Sequence, residues 1–322
     1  MTRTINTNQA LNEAIDEEME RDDDVLVWGE DVGEFGGVFG EMAGLYEEYG
    51  ADRVRDTPLS EIGIAGMALG AAVGGLRPVA ELQFADFVAT AGDETFNQIP
   101  KMPYVSGGRL KAPLTLFAAQ GAGIAAGAQH SQTVHAWLGN VPGWVVVCPT
   151  TPAEAKGLLK SCIRDDNPCV FLPHKLTGEM EGEVPDDDDF TLPLGEAEVV
   201  QEGDDVTIVA NQLMYYRTLE ALDEVDVDAE IILPRTISPL DLDTIVESVE
   251  KTGRLVVADE AVLRYGTQGY IANQVAQNAF FSLDAPPATV GIKDSPIPFS
   301  PPLEGEVQPP TERIVAAIRS LF

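Results

Sequence analysis

Two side chains stand where their chemistry could be put to use, Glu61 and His130. Glu61 is the lone carboxylate at the start of an apolar run, Ser60-Glu61-Ile62-Gly63-Ile64-Ala65-Gly66, which continues through Met67, Leu69 and Val73 to Gly75. Ser60 can cap a helix over that run, and a helix so apolar is expected to be buried all round. A helix N-terminus favours the carboxylate anion, whereas desolvation disfavours it. A carboxyl balanced between those effects suits hydrogen bonding or acid/base work; the plainer alternative is a packed helix with an incidental acidic first turn. His130 ends a glycine-rich loop running from Gln120 to Gln129, a setting that suits a mobile acid or a ligand to a substrate carboxylate. Only three histidines occur, at 130, 135 and 174, and their spacings match no usual zinc pattern. Asp165-Asp166-Asn167-Pro168 reads as an ordinary turn.

The elements that must position these residues alternate. An amphipathic helix is expected over 7–20, with Leu11, Ala14, Ile15 and Met19 inward. A short strand over 25–28 delivers Gly29-Glu30-Asp31 at its carboxyl end, where ligands collect in open α/β sheets. A strand over 78–83, a helix from about 84 to 98, and strands over 114–118, 144–148 and 169–172 follow. Thr151-Pro152-Ala153-Glu154 combines a capping Thr, a first-turn Pro and a Glu three residues on, a clear helix start. Such alternation predicts a mostly parallel sheet covered by helices on both faces. The acidic, proline-bearing stretch 179–195 reads as a linker. A second α/β unit follows, with strands over 206–210, 229–233, 255–258 and 288–290 and a helix opened by Ser238-Pro239 and ended by Gly253. The expected division is one domain over 1–178, the linker, and a second domain over 196–322. Glycines at 66, 70 and 74 form a stripe on the Glu61 helix that would admit a second helix closely.

Length and composition set the bounds. A chain of 322 residues, 44% hydrophobic, can bury two ordinary cores. No apolar run is long enough to span a bilayer, and the opening Met1-Thr2-Arg3-Thr4 is no secretory leader. The cysteines, Cys148, Cys162 and Cys169, are odd in number and lack C-x-x-C spacing, as expected of a reduced cytoplasm. A net charge of −33, from 53 acidic against 20 basic residues, excludes nucleic acid as a natural partner. Spread along the chain, it points to a cytoplasm of high salt, which screens the self-repulsion.

The Glu61 stretch, with Gly29-Glu30-Asp31-Val32, Arg77-Pro78-Val79-Ala80-Glu81, Gln83-Phe84-Ala85-Asp86-Phe87, Gln129-His130-Ser131-Gln132, Ala155-Lys156-Gly157-Leu158-Leu159 and Leu240-Asp241, resembles one family. It is that of the beta subunits of the thiamine-diphosphate-dependent decarboxylase component of 2-oxoacid (pyruvate, branched-chain or acetoin) dehydrogenase complexes. The resemblance runs through nearly the whole chain in consistent order. It implies a thiamine-diphosphate pyrimidine-binding fold followed by a transketolase C-terminal-like domain.

The resemblance also implies roles. The residue matching Glu61 hydrogen-bonds the aminopyrimidine ring nitrogen and favours the tautomer that generates the reactive carbanion. Phe87 matches an aromatic packed on that ring, Glu30 an acidic neighbour, and Gln83 a further cofactor-binding position; His130 serves the acyl-transfer half-reaction. Two residues depart from the pattern, His135 where a Glu is frequent and Asn140 where a His is frequent. Leu114, Thr115, Cys162, Asp165 and Asn167 match a loop that holds K⁺. The Gly-Asp-Gly motif that holds Mg²⁺ and the diphosphate is missing. The resemblance therefore implies half a site, completed by an alpha subunit in an α2β2 assembly with a second copy of this chain, and acyl delivery to the lipoyl groups of a dihydrolipoyl acyltransferase core. His174-Lys175-Leu176 and Pro298-Phe299-Ser300-Pro301 lean toward acetoin or branched-chain members. The alternatives are the pyrimidine-binding half of a split transketolase and a scaffold paralogue without activity.

Overall fold

The structure, a computed structural model, describes residues 1–322. Its strands are β1 (Thr2–Asn6), β2 (Val25–Gly29), β3 (Val54–Asp56), β4 (Arg77–Phe84), β5 (Thr115–Ala119), β6 (Val145–Val147), β7 (Cys169–Phe171), β8 (Glu181–Pro185), β9 (Glu198–Gln201), β10 (Val206–Ala210), β11 (Ala229–Leu233), β12 (Thr236–Ser238), β13 (Leu255–Val262) and β14 (Ala288–Ile292). A seven-stranded sheet has the order β12-β6-β7-β5-β4-β2-β3, and a five-stranded sheet the order β14-β13-β10-β11-β9. Within the first, only β12 runs antiparallel to its neighbour; within the second, only β9 does. The expected α/β architecture of two mostly parallel, helix-covered sheets is what forms.

The alternation of side chains along buried strands splits each core in two. On β5, Leu116 and Ala118 join Trp28, Ile64 and Trp144 on one face, while Phe117 joins Leu11, Ile15, Leu158 and Phe171 on the other. On β10, Val206, Ile208 and Ala210 pack toward Ile314 and Ile318, and Val209 packs the opposite way against Ile245 and Val257. The helix Thr7–Arg21 buries Leu11, Ala14, Ile15 and Met19 as expected, and its glutamates reach the helix Pro152–Arg164 packed against it. Lys156 and Lys160, both shielded from solvent, each meet Glu17 at 2.5 Å.

Several local expectations change. The first helix begins at Thr7 as expected, but a capping box the expectation lacked closes its start, with Asn6 as cap and Gln9 as its partner. No helix starts at Phe84: β4 runs on to that residue, Ala85–Ala89 is a 3₁₀ turn, and only the last part of the expected span is helical, as a π turn over Glu94–Gln98 that leads into the α-helix Ile99–Val105. The cause is a register shift on β4 between Glu81 and Phe84, where Gln83 takes a φ of 48° and the strand bends. The stretch read as a linker contains β8, which pairs with β1 at the opposite end of that segment of chain. Leu242–Thr252 is capped by Asp241 rather than opened by Ser238-Pro239, and it ends at Gly253. These short, polar or edge strands lack the apolar run that made the central strands legible.

Candidate functional site

The seven-stranded sheet gathers the candidate residues by topology. Parallel strands all end on one edge, and Glu30 follows β2, Glu61 follows β3, Gln83 and Phe84 end β4 with Phe87 on the turn after it, and the loop to His130 follows β5. That edge is where an open α/β sheet offers a crevice. The junctions are pinned by backbone: Thr57 N–H donates to Gly29 C=O at 2.8 Å, and Gly33 N–H donates to Asp56 Oδ1 at 2.7 Å. Trp28, one strand residue before Gly29, donates its indole N–H to the Ile64 carbonyl at 3.2 Å. The strand that presents Glu30 is thereby tied to the helix that presents Glu61.

That helix, Glu61–Val73, departs from two expectations. Ser60 makes no side-chain capping bond; the first helical bond runs from Ile64 N–H to the Ser60 carbonyl at 2.9 Å. Nor is the helix buried all round, since Ile62 and Met67 are each 53% exposed. Ile64, Ala65, Ala68 and Leu69 face the core, and the opposite apolar face is open.

Glu30 is 5% exposed, and neither carboxylate oxygen has a hydrogen-bond partner. Burial raises its pKa, the neighbouring charges of Glu61 and Asp31 raise it further, and the nearby backbone N–H of Ser60 pulls it part of the way down. Behind it lie two more buried carboxyls. Burial lifts Glu41 to about 7 against the pull of the Glu41 and Phe39 backbone N–H groups. Glu81 is pushed well above the carboxylate range, by burial first and then by Glu41 and Glu30. The backbone here is tight as well: Asp31 has a φ of 57°, a conformation non-glycine residues rarely adopt. Glu61 itself is partly exposed at the mouth. Buried acids whose pKa values are raised, beside one accessible carboxyl, keep the local negative charge low and can hold protons there.

His130 forms the facing part. Its ring meets Phe84 and Phe87 edge-to-face, with centroids 5.2 and 5.4 Å away, and Phe84 meets Phe87 at 6.0 Å. The loop before it turns through glycines of positive φ at 121, 123 and 127. Gly121 cannot be replaced, because a Cβ there would lie 2.1 Å from His174 Nε2. The loop amides are held from the C-terminal half: Ala122 N–H donates to Glu260, 2.7 Å, while Gly123 and Ala125 donate to Glu304, 2.7 and 3.0 Å.

The three histidines go to three places. His174 pairs with Glu260 at 2.7 Å. His135 is fully buried, with Nε2 at 2.9 Å from Asp259 Oδ2 and 3.1 Å from the Thr267 hydroxyl, and Nδ1 3.1 Å from Gln120 Nε2. Asp259 and Glu260 were not singled out from sequence, although they follow the expected strand over 255–258 at its carboxyl end, the signal that could have found them. Asn140 is exposed and lines a groove between the two halves with Trp137, Tyr265 and Tyr270.

The potassium-loop residues lie at the other edge, where β5 and β7 begin with Thr115 and Cys169 side by side. Asp165 Oδ1 accepts from Asn167 N–H and Nδ2, 2.7 and 2.9 Å, the side-chain turn expected of D-D-N-P. Arg77 Nη1 donates to the carbonyls of Ile163, Arg164 and Asp165, each at 3.1 Å. The donor set fits a cation only in part. Thr115 Oγ1 is buried without a partner, but the Leu114 carbonyl accepts from Cys169 N–H at 2.9 Å and Arg77 already places positive charge on the loop.

Buried acids, aromatic rings and a loop histidine are gathered at the carboxyl edge of a parallel sheet in a two-sheet α/β protein. Residues 3–179 match the family model described as "Transketolase, pyrimidine binding domain", and residues 195–314 match "Transketolase, C-terminal domain". The chain is 47% identical to the acetoin:2,6-dichlorophenolindophenol oxidoreductase subunit beta of Cupriavidus necator, over 99% of this chain and 98% of that one. It is 44% identical to the pyruvate dehydrogenase E1 component subunit beta of Bacillus subtilis, over 91% of each. A solved structure titled "Split gene transketolase, inactive beta4 tetramer" shares the fold, with a TM-score of 0.78 at 23% identity, covering 98% of each chain. The chain belongs to the transketolase-like family, among the beta subunits of 2-oxoacid and acetoin dehydrogenases. No helix is long and apolar enough to cross a membrane.

Proposed function

We propose that this chain, paired with an alpha subunit, forms the thiamine-diphosphate-dependent component of a 2-oxoacid or acetoin dehydrogenase complex. The component cleaves its substrate and passes the acyl group to lipoyl groups on a dihydrolipoyl acyltransferase core. The observation that carries this reading is the recess of Glu30, buried with both oxygens unpaired beside the accessible Glu61. Unpaired buried acids are costly, and an amino-heterocycle that hydrogen-bonds there removes the cost. Glu61, Glu30, Gln83 and Phe87 would hold the pyrimidine end; the chain has no Gly-Asp-Gly, so Mg²⁺ and the diphosphate fall to the alpha subunit. When bound, thiamine diphosphate supplies the electron sink that C–C cleavage of such substrates requires.

The chain's own residues do the rest. Glu61 holds a proton at the cofactor ring, and Glu30, kept easier to protonate by burial, limits the charge beside it. Phe84 and Phe87 exclude water and back the imidazole of His130, which meets the acyl group on its way to lipoyl. Thr115 and its neighbours are the proposed seat of K⁺, on which no step depends. The division into domains over 1–178 and 196–322, joined by 179–195, belongs to the same reading. Relatives in both acetoin and pyruvate enzymes keep both substrate classes in view, with the acetoin subunit the more identical of the two described. The split-transketolase reading has behind it the fold likeness at 23% identity and the two transketolase family models.

The test compares two assays on the assembled αβ protein, with acetoin, pyruvate and 2-oxoisovalerate as substrates. Glu61→Gln should lose roughly a hundred- to ten-thousand-fold both with an artificial electron acceptor and in transfer to lipoyl. His130→Ala should keep artificial-acceptor turnover and lose transfer. The chain without its alpha subunit should turn over nothing. Near-normal cleavage by Glu61→Gln removes the centre of the reading, and equal losses in both assays for His130→Ala remove the transfer role.

A further inference from the structure

One buried ammonium holds both ends of the loop that carries His130. The side chain of Lys175 is shielded from solvent. Its Nζ donates to the carbonyl of Gly121 at 2.9 Å and to that of His130 at 2.5 Å, the residues that open and close the loop. The same Nζ lies 5.0 Å from the centre of the Phe84 ring, against which His130 packs. It also lies 4.0 Å from Asp86 Oδ2. The other Asp86 oxygen accepts from the backbone and side-chain N–H groups of Gln132, at 3.1 and 2.9 Å. A single cation thus touches the backbone of His130, the ring beside its imidazole and the acid that holds the residue two positions on.

An ammonium is costly to bury unless its N–H groups are used. Two are used on the loop carbonyls, and the ring face and Asp86 lie about the third. Neighbouring Leu176 is pressed against the loop too, since a Cβ at Gly123 would lie 2.3 Å from its Cδ1. The elements packed around Nζ bring Asp86 from the turn after β4, Glu260 from β13 with its partner His174, Glu304 from the helix Pro301–Val307, and His130 itself.

We propose that Lys175 is a positioning residue for the step served by His130: by clasping Gly121 and His130 it holds the imidazole against Phe84 and Phe87, so that acyl transfer depends on it and substrate cleavage does not. This rests on the role given to His130 under Proposed function. Burial lowers the pKa of Lys175 to about 8, although Asp86, Glu260 and Glu304 all pull it up. Above that pH the amine keeps fewer N–H groups and loses the charge that strengthens its bonds, so the clasp weakens on the alkaline side.

The experiment uses the assembled αβ protein with Lys175→Met, Lys175→Arg and His130→Ala. Deuterium exchange over residues 121–132 reports loop order, and the ratio of lipoyl transfer to artificial-acceptor turnover reports the step. Lys175→Met should speed exchange in that segment by about fivefold, with the rest unchanged, and lower the ratio by about tenfold. Lys175→Arg, charged at every pH, should restore part of both. The wild-type ratio should fall through about pH 8, and the arginine variant should lack that fall. Wild-type loop exchange in Lys175→Met, or a loosened loop with an unchanged ratio, overturns the proposal. His130→Ala with an unchanged ratio overturns instead the reading beneath it. If the variants do not assemble, the wild type decides: loop exchange, corrected for its intrinsic pH dependence, that stays flat across about pH 8 overturns the clasp.

Discussion

Asp259→Asn should cost the protein about 3 kcal/mol and reveal what joins its two halves. Asp259 lies within β13 and meets His135, which stands five residues beyond the candidate catalytic His130; Thr267 bonds both partners. Burial alone would lower the pKa of His135, but the carboxylate of Asp259 outweighs it, with Cys148 adding to the effect, and the imidazolium is held well above its usual range. Burial would raise Asp259, yet His135, Thr267 and the Ala261 N–H hold it low. Removing one member of a buried pair typically costs about 3–5 kcal/mol. Here His135 can release its proton once the carboxylate is gone, so the lower figure applies. With an unfolding entropy of roughly 2.1 cal/mol/K per residue over 322 residues, about 3 kcal/mol lowers the melting temperature by about 4 °C. The pH dependence gives the sign. His135, with its pKa raised, contributes fully below its ordinary 6.5 and loses that contribution as pH rises through the raised value. Asp259, with its pKa lowered, contributes above its ordinary 3.8 and loses that contribution only as pH falls through the lowered value. The gap between wild type and variant should therefore be widest between about pH 4 and 6.5 and narrow above it. Melting curves of the assembled proteins across that range are the assay. A gap under about 1 °C at pH 6, or one that widens with rising pH, would refute the reasoning.

Two further outcomes follow from the surface. In the isolated chain a Cβ at Gly70 meets nothing within 4 Å, so Gly70→Leu should leave the fold intact; it should break association with a second copy through the open face of Ile62 and Met67, at a cost of about 1–3 kcal/mol. Unchanged sedimentation of a folded variant would count against that contact. The charge of −33 should make stability or assembly fall as salt is lowered from molar to dilute, and melting that ignores salt would remove the high-salt reading.

Much of this protein was legible in its residues. Central strands such as 206–210 and 229–233 announce themselves because both faces are buried and the apolar run is continuous. The helix Pro152–Arg164 starts where Thr151, Pro152 and Glu154 say it must, since capping is a local bond. The order of strands and helices also places Glu30, Glu61, Gln83, Phe87 and His130 on one edge, because parallel strands end together. Strands β1 and β8 were not legible: they form a two-stranded sheet of their own between segments far apart in sequence, and their side chains are mostly polar.

What only the tertiary structure decided is the environment of each charge. Glu41 and Glu81 look like surface acids until folding buries them behind Glu30. His135 finds Asp259 across 124 residues, His174 finds Glu260 across 86, and Lys175 finds the His130 carbonyl across 45. Residue type and spacing report periodicity and local bonds, whose partners lie within a turn or two. Desolvation and ion pairing depend on which distant segments the fold brings within a few ångströms, and that is settled only when the two sheets pack.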